Sequence, residues 1–342
     1  MITNNITDLI GNTPLIKLKY PSEISNCEIF GKAEFLNPGG SIKDRTALGI
    51  ILDAEKNKLI EPGSTVVEGT FGNTGIGLTL VNNARGYKTI IVMPNSTVAT
   101  KREILINMGA ELHLVDPKPY SDPGNYQKFS ERLAIKLSEE KNIKTFWAGQ
   151  FENTANYLYH QNTTGKEIFD QTNGSVDGFT CSIGTGGTIT GVSNALKERN
   201  KNIQIACTDS QGSSMYNYFL NGITKKKGDE SITEGIGQSR ITKNLENCIV
   251  DKSYFVSDEE CMEMLYKMIK TDGLFLGLSS GVNICGAIKL AKEIGPGKKI
   301  VTILCDDANK YYNKMFNKKF LISKNLPYPS WLWIYESKRQ KI

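Results

Sequence analysis

The chain reads as an α/β protein built on parallel sheet with helices packed on its faces, and three observations predict this. Short apolar, β-branched runs alternate along the chain with segments of helical spacing. Glycine-rich turns stand where strands give way to helices. The length of 342 residues also exceeds what one hydrophobic core usually serves, which predicts two lobes.

In order, residues 28–35 read as a short strand and Asn37-Pro38-Gly39-Gly40-Ser41 as a turn. Residues 42–59 carry Ala47, Ile50, Ile51 and Ala54 on one helical face, with Ser41 placed to cap that helix. Residues 65–68 are a strand, 69–75 a glycine-rich turn and 76–85 a helix. Residues 88–93 form a strand closed by Pro94. Residues 100–108 are helical, 111–115 extended, 116–125 loop-like and 129–141 helical. The pattern then repeats: strand at 178–183, turn at 184–188, helix at 189–198, strand at 203–207. Residues 216–234 are polar and expected to be irregular. Helices follow at 258–271 and 282–294, and a strand at 299–304. The tail after Phe320, with its prolines and tryptophans and a basic end from Lys338 to Lys341, is expected on the surface or partly disordered.

Composition excludes several classes. Apolar residues make up 39% and charged residues 23%, as in soluble globular proteins. The net charge of +5 is spread along the chain with only short clusters such as Lys225-Lys226-Lys227, unlike a nucleic-acid binder. No apolar run approaches the roughly 20 residues of a membrane span. The polar stretch from Met1 to Asp8 shows no signal peptide, so the cytoplasm is the expected location. The seven cysteines are odd in number and form no CxxC pair, so buried free thiols are expected rather than disulfides or zinc. With only His113 and His160, a three-histidine metal site is excluded, and no metal is expected. His113 sits in an alternating strand pattern and His160 at an expected helix end. No serine carries a hydrolase elbow.

Three turns carry the chemistry. Gly184-Thr185-Gly186-Gly187-Thr188 lies between a strand and a helix, where open backbone N–H groups and a helix N-terminus suit an anion. It lacks both the third glycine of a dinucleotide fingerprint and the lysine of a P-loop, leaving a lone phosphate or a plain connection. Residues 69–75 add Thr70, Asn73 and Thr74 beside open backbone, which suits a carboxylate. Gly277-Leu278-Ser279-Ser280-Gly281 precedes a helix and reads equally as a loop with a serine cap. Nothing in the spacing of Lys43 marks it as a nucleophile. Its place at the start of a helix, after a turn, is where an amine's pKa is lowered.

These turns, in this order, resemble the cysteine synthases (O-acetylserine sulfhydrylases) among the fold-type-II pyridoxal-phosphate (PLP) enzymes. The opening motif is Ile10-Gly11-Asn12-Thr13-Pro14-Leu15, and the PLP-lysine motif runs from Asn37 through Lys43 to Arg45. The substrate loop spans Thr70 to Gly75 and the phosphate loop Gly184 to Thr188. Gly235-Ile236-Gly237 and the Gly277–Gly281 cluster complete the set, so the match covers about residues 6 to 316. The resemblance implies a tryptophan synthase β-like fold of two lobes, each a twisted, mostly parallel sheet flanked by helices. Residues 37–152 would be the smaller mobile lobe. Residues 10–36 with 153–320 would be the larger, phosphate-binding lobe, and 321–342 the tail.

The resemblance also implies roles. Lys43 would hold PLP as a Schiff base and then serve as acid and base. Asn73 would bond the ring hydroxyl, and Gly184, Thr185, Gly186, Gly187 and Thr188 would cradle the phosphate. Ser279 would face the pyridine nitrogen, a neutral partner that makes the ring a weaker electron sink and favours β-elimination over transamination. Thr70, Thr74 and Gln150 would bind the substrate α-carboxylate, with Phe71, Gly72, Asn73 and Gly235 also at the substrate. The implied chemistry is β-replacement on an activated serine by a sulfur nucleophile, most simply O-acetylserine plus sulfide giving cysteine through an aminoacrylate, in a homodimer. β-Elimination or exchange on cysteine releasing sulfide, or S-sulfocysteine or cystathionine formation, stay open. So does a non-catalytic scaffold.

Four residues depart from the family pattern. Phe71 stands where cysteine synthases usually have Ser or Ala, and either narrows the site or turns outward. Asp306, in Asp306-Asp307-Ala308, is placed to alter the environment of the pyridine ring. Glu234 precedes Gly235 and is a candidate base toward water or a thiol. Arg240 either selects an anionic second substrate such as thiosulfate or is a surface arginine.

Overall fold

The computed structural model describes residues 2–141 and 144–339. Its ten strands are β1 (Leu15–Lys17), β2 (Glu28–Ala33), β3 (Thr65–Gly69), β4 (Lys88–Pro94), β5 (Glu111–Val115), β6 (Thr145–Trp147), β7 (Gly178–Cys181), β8 (Gln204–Ser210), β9 (Lys252–Val256) and β10 (Lys299–Leu304), among the described residues. They form a six-stranded sheet in the order β1-β2-β10-β7-β8-β9 and a four-stranded sheet in the order β5-β4-β3-β6. Every neighbouring pair is parallel except β1 with β2, which run antiparallel with Leu15 opposite Lys32. An α/β architecture with helix-covered, mostly parallel sheets follows, as the alternation predicts.

Both faces of the central strands are buried, which explains their unbroken apolar runs. Along β10, Ile300 and Leu304 enter the core under the helices Asp258–Thr271 and Leu278–Ile294. Their neighbours Val301 and Ile303 enter the opposite core with Phe179, Val192 and Leu196. In the smaller sheet Val66 and Val67 divide in the same way between two cores.

The helix at Asp258–Thr271 matches its expected span because it starts on a capping box: Ser257 and Glu260 each hydrogen-bond the other's backbone. Elsewhere the helices reach further into the glycine-rich turns than periodicity shows. Observed spans are Asn73–Arg85, Gly187–Arg199 and Leu278–Ile294, so Ser279 and Ser280 lie in a first helical turn rather than in a loop. The helix Lys43–Lys56 has Ile42, not Ser41, at its N-cap; Ser41 Oγ instead accepts the Lys43 N–H at 3.2 Å. Residues 216–234 are not wholly irregular. A helix spans Met215–Asn221, held by buried Met215 and by Tyr218 and Phe219 against the larger sheet's core. In the tail, Trp331 packs edge-on against Tyr266 at 5.9 Å; Gln340 and Lys341 of its expected basic end lie outside the described residues. The seven cysteines are free. No helix is long and apolar enough to cross a membrane among the described residues.

The start of the Lys43–Lys56 helix is tied to the larger sheet by buried charge. Arg45, fully buried, donates through Nε and Nη2 to Glu34 at 2.8 and 2.9 Å and through both Nη atoms to Glu167 at 2.7 Å. Lys32 Nζ reaches the same Glu167 at 2.6 Å. Burial works against the Glu167 charge, yet Arg45 and Lys32 hold its carboxyl down at about 2. Removing Arg45 would strand two carboxylates. Arg45→Met is therefore expected to lower the free energy of unfolding by about 3–5 kcal/mol in urea titrations. A loss below about 1 kcal/mol, the scale of a surface pair, contradicts this.

Candidate active site

A cavity of about 420 Å³ opens between the two sheets and takes its lining from both. Lys43, Thr70, Phe71, Gly72, Asn73, Thr74 and Gln150 line it from the side of the four-stranded sheet. Ser182, Gly184, Thr185, Thr188, Gly235, Ser279 and Cys305 line it from the side of the six-stranded sheet. Lys43 is the first residue of its helix. Its Nζ has no hydrogen-bond or ion-pair partner among the described residues, although it lies inside a mostly enclosed site.

The turn Gly184 to Thr188 contributes Gly184, Thr185 and Thr188 to the lining. β7 leads to Gly184 and Thr185, Gly186 turns at φ 91°, and the helix begins at Gly187, so the turn sits at a helix N-terminus. Side chains are sterically excluded here: a Cβ on Gly184 would collide with the Gly235 carbonyl, and one on Gly187 with the Asn156 amide. Thr185 Oγ1 accepts from Asn156 Nδ2 at 2.9 Å and from Gly187 N at 3.3 Å, so its own proton is left to donate. Thr188 Oγ1 lies 3.4 Å from His160 Nε2. His160 is wholly buried in a helix that continues through a π turn at Gln161–Gly165. Burial holds its imidazole well below its ordinary value and so neutral. His113 pairs with Glu111 at 2.8 Å, away from the cavity.

The loop after β3 and Gln150 also line the cavity. Thr74 Oγ1 donates to Gln150 Oε1 at 2.6 Å, and Gln150 Nε2 donates to Glu68 Oε1 at 3.1 Å, leaving one Gln150 N–H unspent. Glu68 was not singled out in the sequence, although a charge closing the apolar run Thr65-Val66-Val67 was a signal. Burial pushes its carboxyl up to about 8. Phe71 stands at the rim, 37% exposed and edge-on to Tyr126 at 5.5 Å, so it both lines the cavity and packs sideways. Ser279 lines the floor beside Cys305, whose thiol burial pushes up to about 11 against the pull of the Ser279 hydroxyl.

The structure gives three of the departures definite partners. Glu234 lines the mouth, but both its oxygens are engaged, by Lys101 and by Lys314 at 2.8 Å. Burial would raise its carboxyl, yet the two ammonium groups outweigh burial and hold it below the usual range, which makes it a poor base. Arg240 does not line the cavity: Glu152 holds it at 2.7 Å and it lies over the Tyr120 and Phe151 rings. Asp306 is buried behind the lining and meets Asn73 and Tyr311 rather than Ser279.

A family model described as pyridoxal-phosphate dependent enzyme matches residues 6–306. The chain belongs to this family. Cysteine synthase 1 of Neurospora crassa is 46% identical over 95% of the chain and 86% of its own length. The cysteine synthase of Dictyostelium discoideum is 41% identical over 95% and 87%. Among solved structures, the O-acetylserine dependent cystathionine beta-synthase from Helicobacter pylori superposes with a TM-score of 0.80 at 33% identity, covering 92% of this chain and 98% of that one.

The residues present fit the family's cofactor. An unpartnered lysine amine, a turn whose glycines Gly184 and Gly187 leave no room for a Cβ and whose Thr185 hydroxyl has a spare proton, and a buried, unpartnered Ser182 Oγ belong to one cavity. The Glu68 carboxyl gives a check independent of any ligand. Its proton is lost near 4.5 in the unfolded chain and near about 8 in the folded one. Between those values only the folded state keeps the proton. Stability is therefore lost progressively as pH rises through that window and levels off above it. In thermal melts across the window, Glu68→Gln is expected to gain on the parent as pH rises. A parallel pH dependence of the two proteins contradicts the buried, proton-holding carboxyl.

Proposed function

We propose that the chain makes cysteine, as the names of the cysteine synthases it is similar to describe, from O-acetylserine and sulfide, with Lys43 as the attachment point and proton carrier. The observation that carries this is the placing of the unpartnered Lys43 amine in one cavity with residues of the Gly184–Thr188 turn and of the loop Thr70 to Thr74. When bound, PLP supplies an electron sink that makes the substrate's α-proton removable.

In this reading Lys43 holds the cofactor through Nζ. Gly184 to Thr188 hold its phosphate with backbone N–H groups and the Thr185 and Thr188 hydroxyls. Asn73 would hold the ring hydroxyl and Ser279 the ring nitrogen. Thr70, Thr74 and the spare Gln150 N–H bind the substrate α-carboxylate, which fixes the amino acid with its α-carbon toward Lys43. Once freed, the Lys43 amine takes the α-proton at Nζ, the β-acetoxy group departs, and sulfide adds at the β-carbon as the proton returns. Four lysines (Lys43, Lys101, Lys310 and Lys314) and a single carboxylate, Glu234, line the cavity. That balance favours an anionic sulfur nucleophile. The Phe71 ring in the lining favours a small one. We further infer that residues 37–152 form the mobile lobe that closes over the substrate, and that the active form is a homodimer, as the resemblance to cysteine synthases implies.

The test is cysteine formation from O-acetylserine and sulfide by the purified protein. Turnover is expected in the wild type, and a loss of about 10²-fold or more in Lys43→Ala, the scale of a missing acid–base group. Sulfide release from cysteine with no synthesis would replace this reading with β-elimination. No reaction in either direction would leave the scaffold reading.

A further inference from the structure

Asn73 begins the helix after β3, on the side of the four-stranded sheet, and lines the cavity. Its carboxamide is held from the other side of the cleft. Asn73 Nδ2 donates to Asp306 Oδ2 at 2.6 Å, and Lys310 Nζ donates to Asn73 Oδ1 at 3.0 Å. Asp306 lies two residues past the end of β10, and Lys310 four residues further on. A carboxamide with its donor on a carboxylate and its acceptor on an ammonium has one orientation. The flipped amide would face oxygen to oxygen and N–H to N–H.

Each clamp is itself fixed. Asp306 is 1% exposed and its Oδ2 also accepts the Tyr311 hydroxyl at 2.7 Å. Its Oδ1 occupies the space that a Cβ on Gly277 would take, so this position accommodates the carboxylate only as glycine. Lys310 spends its remaining N–H bonds on the carbonyls of Gly40 at 2.9 Å and Gly39 at 3.4 Å. Those glycines form the turn that leads to Lys43, and Gly40 holds φ 73° there. One ammonium group therefore joins the Asn73 amide to the turn that presents Lys43. After these bonds, Asn73 keeps one N–H and one lone pair for the cavity.

We propose that Asp306 and Lys310 are positioning residues that act together across the cleft, setting the Asn73 carboxamide so that its one remaining N–H meets the ring oxygen of the bound cofactor. The proposal rests on the reading of the cavity as a PLP site. It deepens that reading, because ring contact then depends on groups from both sides of the cleft.

The test uses the holoenzyme and two optical readouts, the position of the cofactor's visible absorption band and the rate at which the cofactor is lost on dilution into a PLP scavenger. Asp306→Asn and Lys310→Met are each expected to shift the band and to speed loss about tenfold, the scale of one charge-assisted hydrogen bond. In an Asn73→Ala background the same two substitutions are expected to add nothing to either readout. A merely structural role would lower stability without that dependence on Asn73. The proposal is overturned if both variants keep the parent band and release rate, or if their effects persist undiminished without Asn73. A wild-type protein that takes up no PLP at all would overturn the PLP reading together with this one.

Discussion

The Arg45 guanidinium, shut away from water between Glu34 and Glu167, is the interaction on which the arrangement of this molecule depends. Its carboxylate partners belong to the chain after β2 and to the helix Lys166–Gln171, whereas Arg45 itself stands two residues past Lys43. A buried ion pair adds little net stability over an apolar substitute, because both charges are stripped of water. What it adds is geometry: a rigid fork with five donors fits one arrangement of two carboxylates and a hydroxyl. Thr13 supplies that hydroxyl, 3.3 Å from Nη2, and in turn donates to Glu34 at 2.7 Å. The opening motif, the PLP-lysine motif and the larger sheet meet at one cation, and Lys43 is the residue they place.

The cavity follows the same logic of groups satisfied on all sides but one. Thr185 accepts twice and keeps its proton. Gln150 spends its oxygen on Thr74 and half its amide on Glu68. Asn73 is held at both ends. In each case the unspent hydrogen-bonding capacity belongs to a residue of the cavity wall. The polar groups are oriented before any ligand arrives, which is the condition under which they favour a reacting geometry over water.

Much of this was legible in the chain. β-Branched runs bounded by glycine mark β3, β4, β7 and β10 because a strand buried on both faces needs apolar residues throughout. The glycine turns were legible because bare backbone is required where Gly184 meets Gly235 and Gly187 meets Asn156. Short strands were not, since three residues at Leu15–Lys17 or Thr145–Trp147 carry too little pattern. The helix Met215–Asn221 was hidden by polar flanks, its stability coming from tertiary contact of Tyr218 and Phe219. The fates of Glu234 and Arg240 were beyond reach for another reason. Their partners Lys101 and Glu152 lie 133 and 88 positions away in the chain, and nothing local announces such pairs.

At the centre stands the claim that one lysine among four lining the cavity is the attachment point. Lys101 and Lys314 are spent on Glu234, and Lys310 on Asn73 and the Gly39-Gly40 turn; Lys43 alone of the four has an uncommitted amine among the described residues. Borohydride reduction of the PLP-loaded protein, followed by peptide mass spectrometry, reads the modified residue directly. The account predicts the pyridoxyl label on the peptide containing Lys43 and on no other lysine of the cavity. A label on Lys101, Lys310 or Lys314, or none after loading, contradicts it.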